Sequence, residues 1–158
     1  MPDMAVRIVK AVHNDIPALL ACAQALVASD AGVYDAAATN TDWAITAGRS
    51  YCETILNNDD NIALLAKDDK VRGHLVGRLS GPGSVHPIRV AELESIYVYP
   101  EHRGRGTGQQ LVEEFLAWAA GKGADRASVT AYAANEGAQR LYRRYGFEPK
   151  SVVLHRDL

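Results

Sequence analysis

VYPEHRGRGTGQQLVEEF, residues 98–115, carries three kinds of chemistry in one stretch. It opens at the end of a β-rich run, IRVAELESIYVYP (88–100), which stops at Pro100 because proline has no N–H to give to a sheet. It closes in an amphipathic helix whose apolar stripe is Leu111, Phe115 and Ala119 with Val112 and Leu116 beside them, stopping near Gly121 and Gly123. Between the two, Gly104, Gly106 and Gly108 alternate with Arg105 and Thr107. Glycine loses more backbone entropy on ordering than any other residue, so this is a poor helix start unless the loose backbone is used. A strand, a glycine-rich turn and a helix start together point unpaired N–H groups outward at the positive end of a helix dipole, and the natural ligand is an anion. Two other phosphate loops fail on spelling. No GxxxxGK string occurs, and the alternating glycines followed by Gln109 do not fit a GxGxxG turn.

Working outward, AVRIVKAV (5–12) has strand character, and Asn14, Asp15 and Pro17 supply a helix start for a helix running to about Ala28. SDAGVYDAAATNTD (29–42) reads as a small, acidic loop with at most a short helical turn. Trp43, Ala47, Tyr51 and Ile55 recur every four residues on one helical face. NIALLAK (61–67) and VRGHLVGRLS (71–80) flank the tight link DDK as an antiparallel hairpin, and GPGSVHP (81–87) is a loop. ASVTAYA (127–133) predicts a strand. Asn135 caps a helix with Ala138, Leu141, Tyr142 and Tyr145 on one stripe, Gly146 ends it, and FEPKSVVLHRDL predicts a last strand. The order β, α, α, β, β, β, α, β, α, β, without linker or repeat, reads as one α/β domain over residues 1–158.

The 158 residues are 47% hydrophobic and 23% charged, enough for one real core. Lys and Arg total 17 against 19 acidic residues, a net charge of −2, so nothing argues for nucleic acid or an anionic membrane as partner. Cys22 and Cys52 have neither disulfide-scaffold nor zinc spacing, and five scattered histidines show no metal spacing, so no metal is expected and a reducing cytoplasm fits best. MPDMAVRIVK does not look like a secretory signal. The most apolar segment, IPALLACAQALVA, falls short of the roughly 20 residues that span a bilayer.

VYPEHRGRGTG resembles the V-x-P-x-x-R-G-x-G-x-G pattern of the GNAT superfamily of N-acetyltransferases, with Arg103, Gly106 and Gly108 at its core positions. A second stretch, NEGAQRLYRRYGF, resembles the superfamily's N-x-x-A-x-x-L-Y-x-x-x-G-F, with Asn135, Ala138, Leu141, Tyr142, Gly146 and Phe147 in register. The resemblance covers about residues 90–148 and implies the GNAT acyl-CoA N-acyltransferase fold, a mixed central sheet of about six or seven strands flanked by about four helices.

It also implies acetyl transfer from acetyl-CoA to a primary amine by direct attack. Residues Gly104, Arg105, Gly106, Thr107 and Gly108 would donate backbone hydrogen bonds to the pyrophosphate, and Arg103 offers a guanidinium shaped for phosphate. In the family the strand before the loop splays from its neighbour and the pantetheine arm fills the gap. Val98 would aim its N–H at the thioester oxygen, Asn135 would contact the arm, and Tyr142 would be the general acid. Without the motif, Tyr142 reads as one member of an apolar stripe. For the base the candidates are Glu92, slightly ahead, and Glu94, placed by alternation on the same strand face, with a base-free mechanism still open. Arg140, Arg143 and Arg144 lie mostly off the helix stripe.

Asp30, Asp35 and Asp42, in a loop without basic residues, favour a cationic acceptor. Two alternatives stay open: a GNAT-fold acyl-CoA-binding regulatory protein without turnover, and an acyltransferase using a different acyl-CoA. Many relatives form homodimers, and nothing in the sequence marks an interface.

Overall fold

The computed structural model describes residues 5–158, so the first four residues of MPDMAVRIVK lie outside it. The elements in chain order are β1 (Arg7–Lys10), α1 (Ile16–Ser29), α2 (Ala31–Tyr34), α3 (Trp43–Thr46), α4 (Gly48–Leu56), β2 (Asn61–Lys67), β3 (Val71–Ser80), β4 (Val90–Val98), α5 (Thr107–Gly121), β5 (Arg126–Val129) and α6 (Glu136–Arg144). The strands form one mixed sheet in sequence order: β1 to β4 pair antiparallel, and β5 joins β4 in parallel after the α5 crossover.

Each face of the sheet is covered, which is why β2 and β3 read as near-continuous apolar runs rather than clean alternation. On one face α5 packs Leu111, Val112, Phe115 and Ala119 against Ile62, Leu64, Leu75, Leu79 and Leu93. Gly77 lets the helix come this close: a Cβ there would lie 2.8 Å from the Phe115 ring. The other face carries α1 and α4, with Ile16, Leu19, Cys52 and Ile55 against Ala63, Leu65 and Val76. Asp15 does not cap α1 with its side chain. Its carboxylate accepts the Val12 N–H at 2.9 Å and pairs with Lys67 Nζ at 2.9 Å, tying the helix start to β2.

Four expectations need correction. The sheet has five strands among the described residues, because FEPKSVVLHRDL forms no strand: Pro149 has no N–H to donate, and Val152, Val153 and Leu154 are 81%, 74% and 89% exposed. The strand expected over 127–133 pairs only through Val129, because β4 leaves it there. Alongside the four longer helices stand two single-turn ones, and the Trp43–Ile55 face is broken at Ala47 into α3 and α4. The apolar helical run is also longer than expected. The helical run from His13 to Tyr34 has 22 residues and contains an 18-residue window of mean hydropathy 1.5, enough to cross a bilayer by length and composition. In this fold Ile16, Leu19 and Cys22 on that run are buried.

His74 on β3 is 2% exposed, its Nε2 lies 3.1 Å from Ser95 Oγ, and burial pushes its pKa down to about 4. The unfolded chain then binds a proton near pH 6.5 that the folded chain refuses, so this contribution to stability is present above pH 6.5 and lost as pH falls toward 4. The loss is about 3 kcal/mol. Urea unfolding of the wild type and His74→Gln at pH 7 and pH 4 should show the variant losing about that much less on acidification.

Candidate active site

The site begins where pairing stops. β4 pairs with β5 only from Val90 to Leu93, whereas on its other edge it stays paired with β3 as far as Val98. Between Val76 and Gly77 the β3–β4 register shifts, leaving Glu94 as the extra residue of a β-bulge, one position past the last β5 pair. Tyr99 N–H donates to the Arg72 carbonyl at 2.9 Å, so alternation turns the N–H groups of Ile96 and Val98 to the opposite edge, the one β5 has left. That edge lines a cavity of about 920 Å³, whose far wall is Val129, Thr130, Ala131 and α6.

At its end the cavity meets the glycine-rich turn. Gly104 and Gly106 have φ of 73° and 82°, in the left-handed region, while a Cβ on either would meet nothing within 4 Å. Conformation, not crowding, selects glycine there. Gly106 precedes the first residue of α5, whose N-terminus has no side-chain cap, and Gln110 makes the first return bond to the Gly106 carbonyl. The N–H groups of Thr107, Gly108 and Gln109 therefore precede the helix's own ladder, and Gly104, Gly106, Thr107, Gly108 and Gln109 all line the cavity. Unpaired N–H groups at a helix start, with space beside them, can receive an anion. Arg103 lines the same wall, its Nε donating to the Val98 carbonyl at 2.8 Å and its guanidinium 5.3 Å from the Tyr97 ring centre. Arg105 is exposed, and of the α6 arginines Arg140 and Arg144 join the lining.

Tyr142 is 7% exposed, lines this cavity and packs edge-on to Phe147. Burial, with a smaller push from Asp30, raises its pKa to about 12, so the phenol keeps its proton at neutral pH. Asn135 caps α6 by accepting the Ala138 N–H at 3.1 Å, and its Nδ2 donates to Asp30 Oδ1 at 3.3 Å. That contact ties the end of α1 to the start of α6 across the cavity mouth. Burial raises the pKa of Asp30, and the hydrogen bond from Asn135 opposes the rise.

A second cavity, of about 500 Å³, lies on the α1/α4 face and shares Leu26, Glu94 and Ser95 with the first. Glu94 is thus the carboxylate at the junction. Its Oε2 sits 3.8 Å from Arg78 Nη1, and the phenol of Tyr51 is pushed well up by burial and by this neighbouring carboxylate. Glu92 pairs in register with Arg78, is exposed, and lines neither cavity. Of the acidic loop residues, Asp30 lines the larger cavity; Asp35 and Asp42 line neither. Among the described residues no three His, Cys, Asp or Glu side chains gather as a metal site. Sequence reasoning missed Tyr51, His74, Ser95 and His102, which line one cavity or the other. No spacing signal joins them, because they come from four different segments of the chain.

The family model described as Acetyltransferase (GNAT) family matches residues 31–147. An uncharacterized N-acetyltransferase of Methanocaldococcus jannaschii is 29% identical over 106 residues, 66% of this chain and 47% of that protein, so the chain spans less than half of this relative's length. A Bacillus subtilis protein named for alanine N-acetylation of a ribosomal protein is 28% identical over 120 residues, 76% of this chain and 75% of its own. An aminoglycoside N-acetyltransferase solved in complex with CoA shares the fold with TM-score 0.78 at 20% identity, covering 99% of this chain and 98% of that one.

The last two glycines of the turn, Gly106 and Gly108, should separate conformation from packing. Gly106→Ala forces a left-handed alanine at a cost of about 1–2 kcal/mol. Gly108→Ala adds a methyl at ordinary contact, 3.7 Å from Leu141 Cδ2, and should be neutral or stabilising by up to about 1 kcal/mol. Chemical denaturation of the two variants checks the ordering.

Proposed function

The chain belongs to the acetyltransferase (GNAT) family, and on that premise we propose that it moves an acetyl group from acetyl-CoA to a primary amine by direct attack, with residues 1–158 acting as one catalytic domain. The observation that carries this reading is a wall shared by two cavities at Leu26, Glu94 and Ser95: one runs along the open edge of β4 to the glycine-rich turn, the other lies on the α1/α4 face. Two reactants can therefore enter from different sides and meet at one strand. The fold shared with a CoA-bound acetyltransferase, and an N-acetyltransferase name on the curated relatives, support the same donor and an amine as acceptor.

Acetyl-CoA supplies the activated thioester; the protein supplies position and charge. Residues Gly104–Gly108 and the first N–H groups of α5 would hold the pyrophosphate, with Arg103 adding charge. The N–H of Val98 faces the edge where the pantetheine arm would lie and would stabilise the oxygen charge that develops on attack. Asn135, which lines the same cavity, would border that arm. In the transfer, the amine nitrogen forms a bond to the acyl carbon, the carbon–sulfur bond breaks, and the sulfur leaves as thiolate. Tyr142, kept protonated by its burial, would donate to that sulfur. An amine such as lysine, with pKa about 10.4, must first lose a proton. Glu94, at the junction of the cavities, is better placed to receive it than Glu92.

Thiol release from acetyl-CoA across an amine panel tests the reading. Tyr142→Phe should lower kcat by at least about 100-fold while the dissociation constant for acetyl-CoA stays within about twofold. Glu94→Gln should depress kcat/KM most at low pH, where free amine is scarce, whereas Glu92→Gln should leave the pH profile unchanged. Gly106→Val should lose acetyl-CoA binding with the circular dichroism spectrum retained. Tight acetyl-CoA binding without thiol release on any amine would count against transfer and for a sensor.

A further inference from the structure

The smaller cavity has walls unlike those of a site for a polycation. Leu19, Leu26, Val27, Trp43, Ile55 and Val76 are among its lining, and Trp43 stands edge-on to Tyr51 with ring centres 5.1 Å apart. Its charged lining is confined to one end, where Glu94 meets Arg78. Among the described residues that line it, Glu94 is the only carboxylate. His74 contributes a buried, uncharged ring and Ser95 a hydroxyl already directed at that ring. The volume, about 500 Å³, lies within the range of pockets that enclose a whole small molecule. Asp35 and Asp42, which by sequence favoured a cationic acceptor, line neither cavity.

Resting on the transferase reading above, we propose that the acceptor is a small monoamine: one primary amine, seated at Glu94, on a compact apolar or aromatic body that fills the space between α1, α4 and β3. The electrostatics select against a second charge. One ammonium finds a carboxylate at the junction with the donor cavity. A second, several atoms away, would lie against leucine, valine and tryptophan with no second carboxylate to offset its lost hydration. The aromatic pair adds an edge-to-face surface on which a ring can pack. The same geometry sets the order of parts in the acceptor, with the apolar body against α1, α4 and β3 and the nitrogen next to the donor cavity.

The test is thiol release from acetyl-CoA by the full chain with four acceptors: 2-phenylethylamine, hexylamine, 1,6-diaminohexane and a lysine-free peptide with a free N-terminus. Both monoamines should exceed the diamine in kcat/KM by at least about tenfold, and exceed the peptide likewise. Ala23→Phe, which places a ring in the cavity from α1, should raise KM for 2-phenylethylamine about tenfold or more with the acetyl-CoA dissociation constant unchanged. Should that variant unfold, Val27→Phe on the same helix serves instead. A diamine or peptide turned over as well as the monoamines, or a filled cavity without effect on KM, overturns the acceptor assignment and leaves acetyl transfer standing. Acetyl-CoA bound but no turnover on any of the four overturns both.

Discussion

Beyond Leu93 the peptide groups on one edge of β4 have no strand beside them, since β5 pairs with β4 no further. Interior peptide groups need partners, and an unpaired one costs free energy comparable to a lost hydrogen bond. An extended ligand with its own amide groups can satisfy such an edge as a missing strand would. The gap is kept open from both sides. The bulge at Glu94 moves β4 out of step, and Thr130 and Ala131 continue from β5 as cavity wall instead of ladder. Every other part of the site is arranged along this one unpaired edge: the glycine turn at its end, α6 across it, Glu94 at its start.

The two faces of the sheet divide the labour. The α5 face is a dense apolar core, and its close packing over Gly77 sets where the helix lies and so where its uncapped N-terminus points. The α1/α4 face has a smaller core, and Leu19, Cys52, Ile55, Ala63 and Val76 of that core also line the smaller cavity. The bulge connects them, because an extra residue in one strand re-aims a side chain that strict alternation would place elsewhere. Glu94 thereby reaches the junction, while Glu92, two residues earlier, stays in register opposite Arg78. A single contact, Asn135 with Asp30, then links helices 105 residues apart in sequence at the cavity mouth.

Much of this was readable before any coordinates. Both strands of the hairpin around DDK, the helix after the glycine turn and the cap at Asn135 follow from local rules of periodicity, capping and turn chemistry, and the structure has them at those places. The misses share a cause. FEPKSVVLHRDL has strand-forming residues, and ASVTAYA has them to its end, but a strand exists only where a neighbour supplies the other half of the ladder. Local propensity cannot say whether that neighbour is present. The acidic loop misled for a related reason: Asp30, Asp35 and Asp42 share a composition, and only Asp30 faces a cavity.

By itself the sequence determined the family, the glycine-rich turn at the start of α5 and the cap of α6 at Asn135. Each is encoded within a short stretch, where spacing along the chain is spacing in space. Tertiary structure alone decided which glutamate reaches the cavity junction and that the second cavity is apolar. It also joined Trp43, Tyr51, His74 and Ser95 into one lining. Those outcomes depend on strand register, on a one-residue bulge and on helices packed from distant segments. A register is a relation between two strands, and neither strand states it alone.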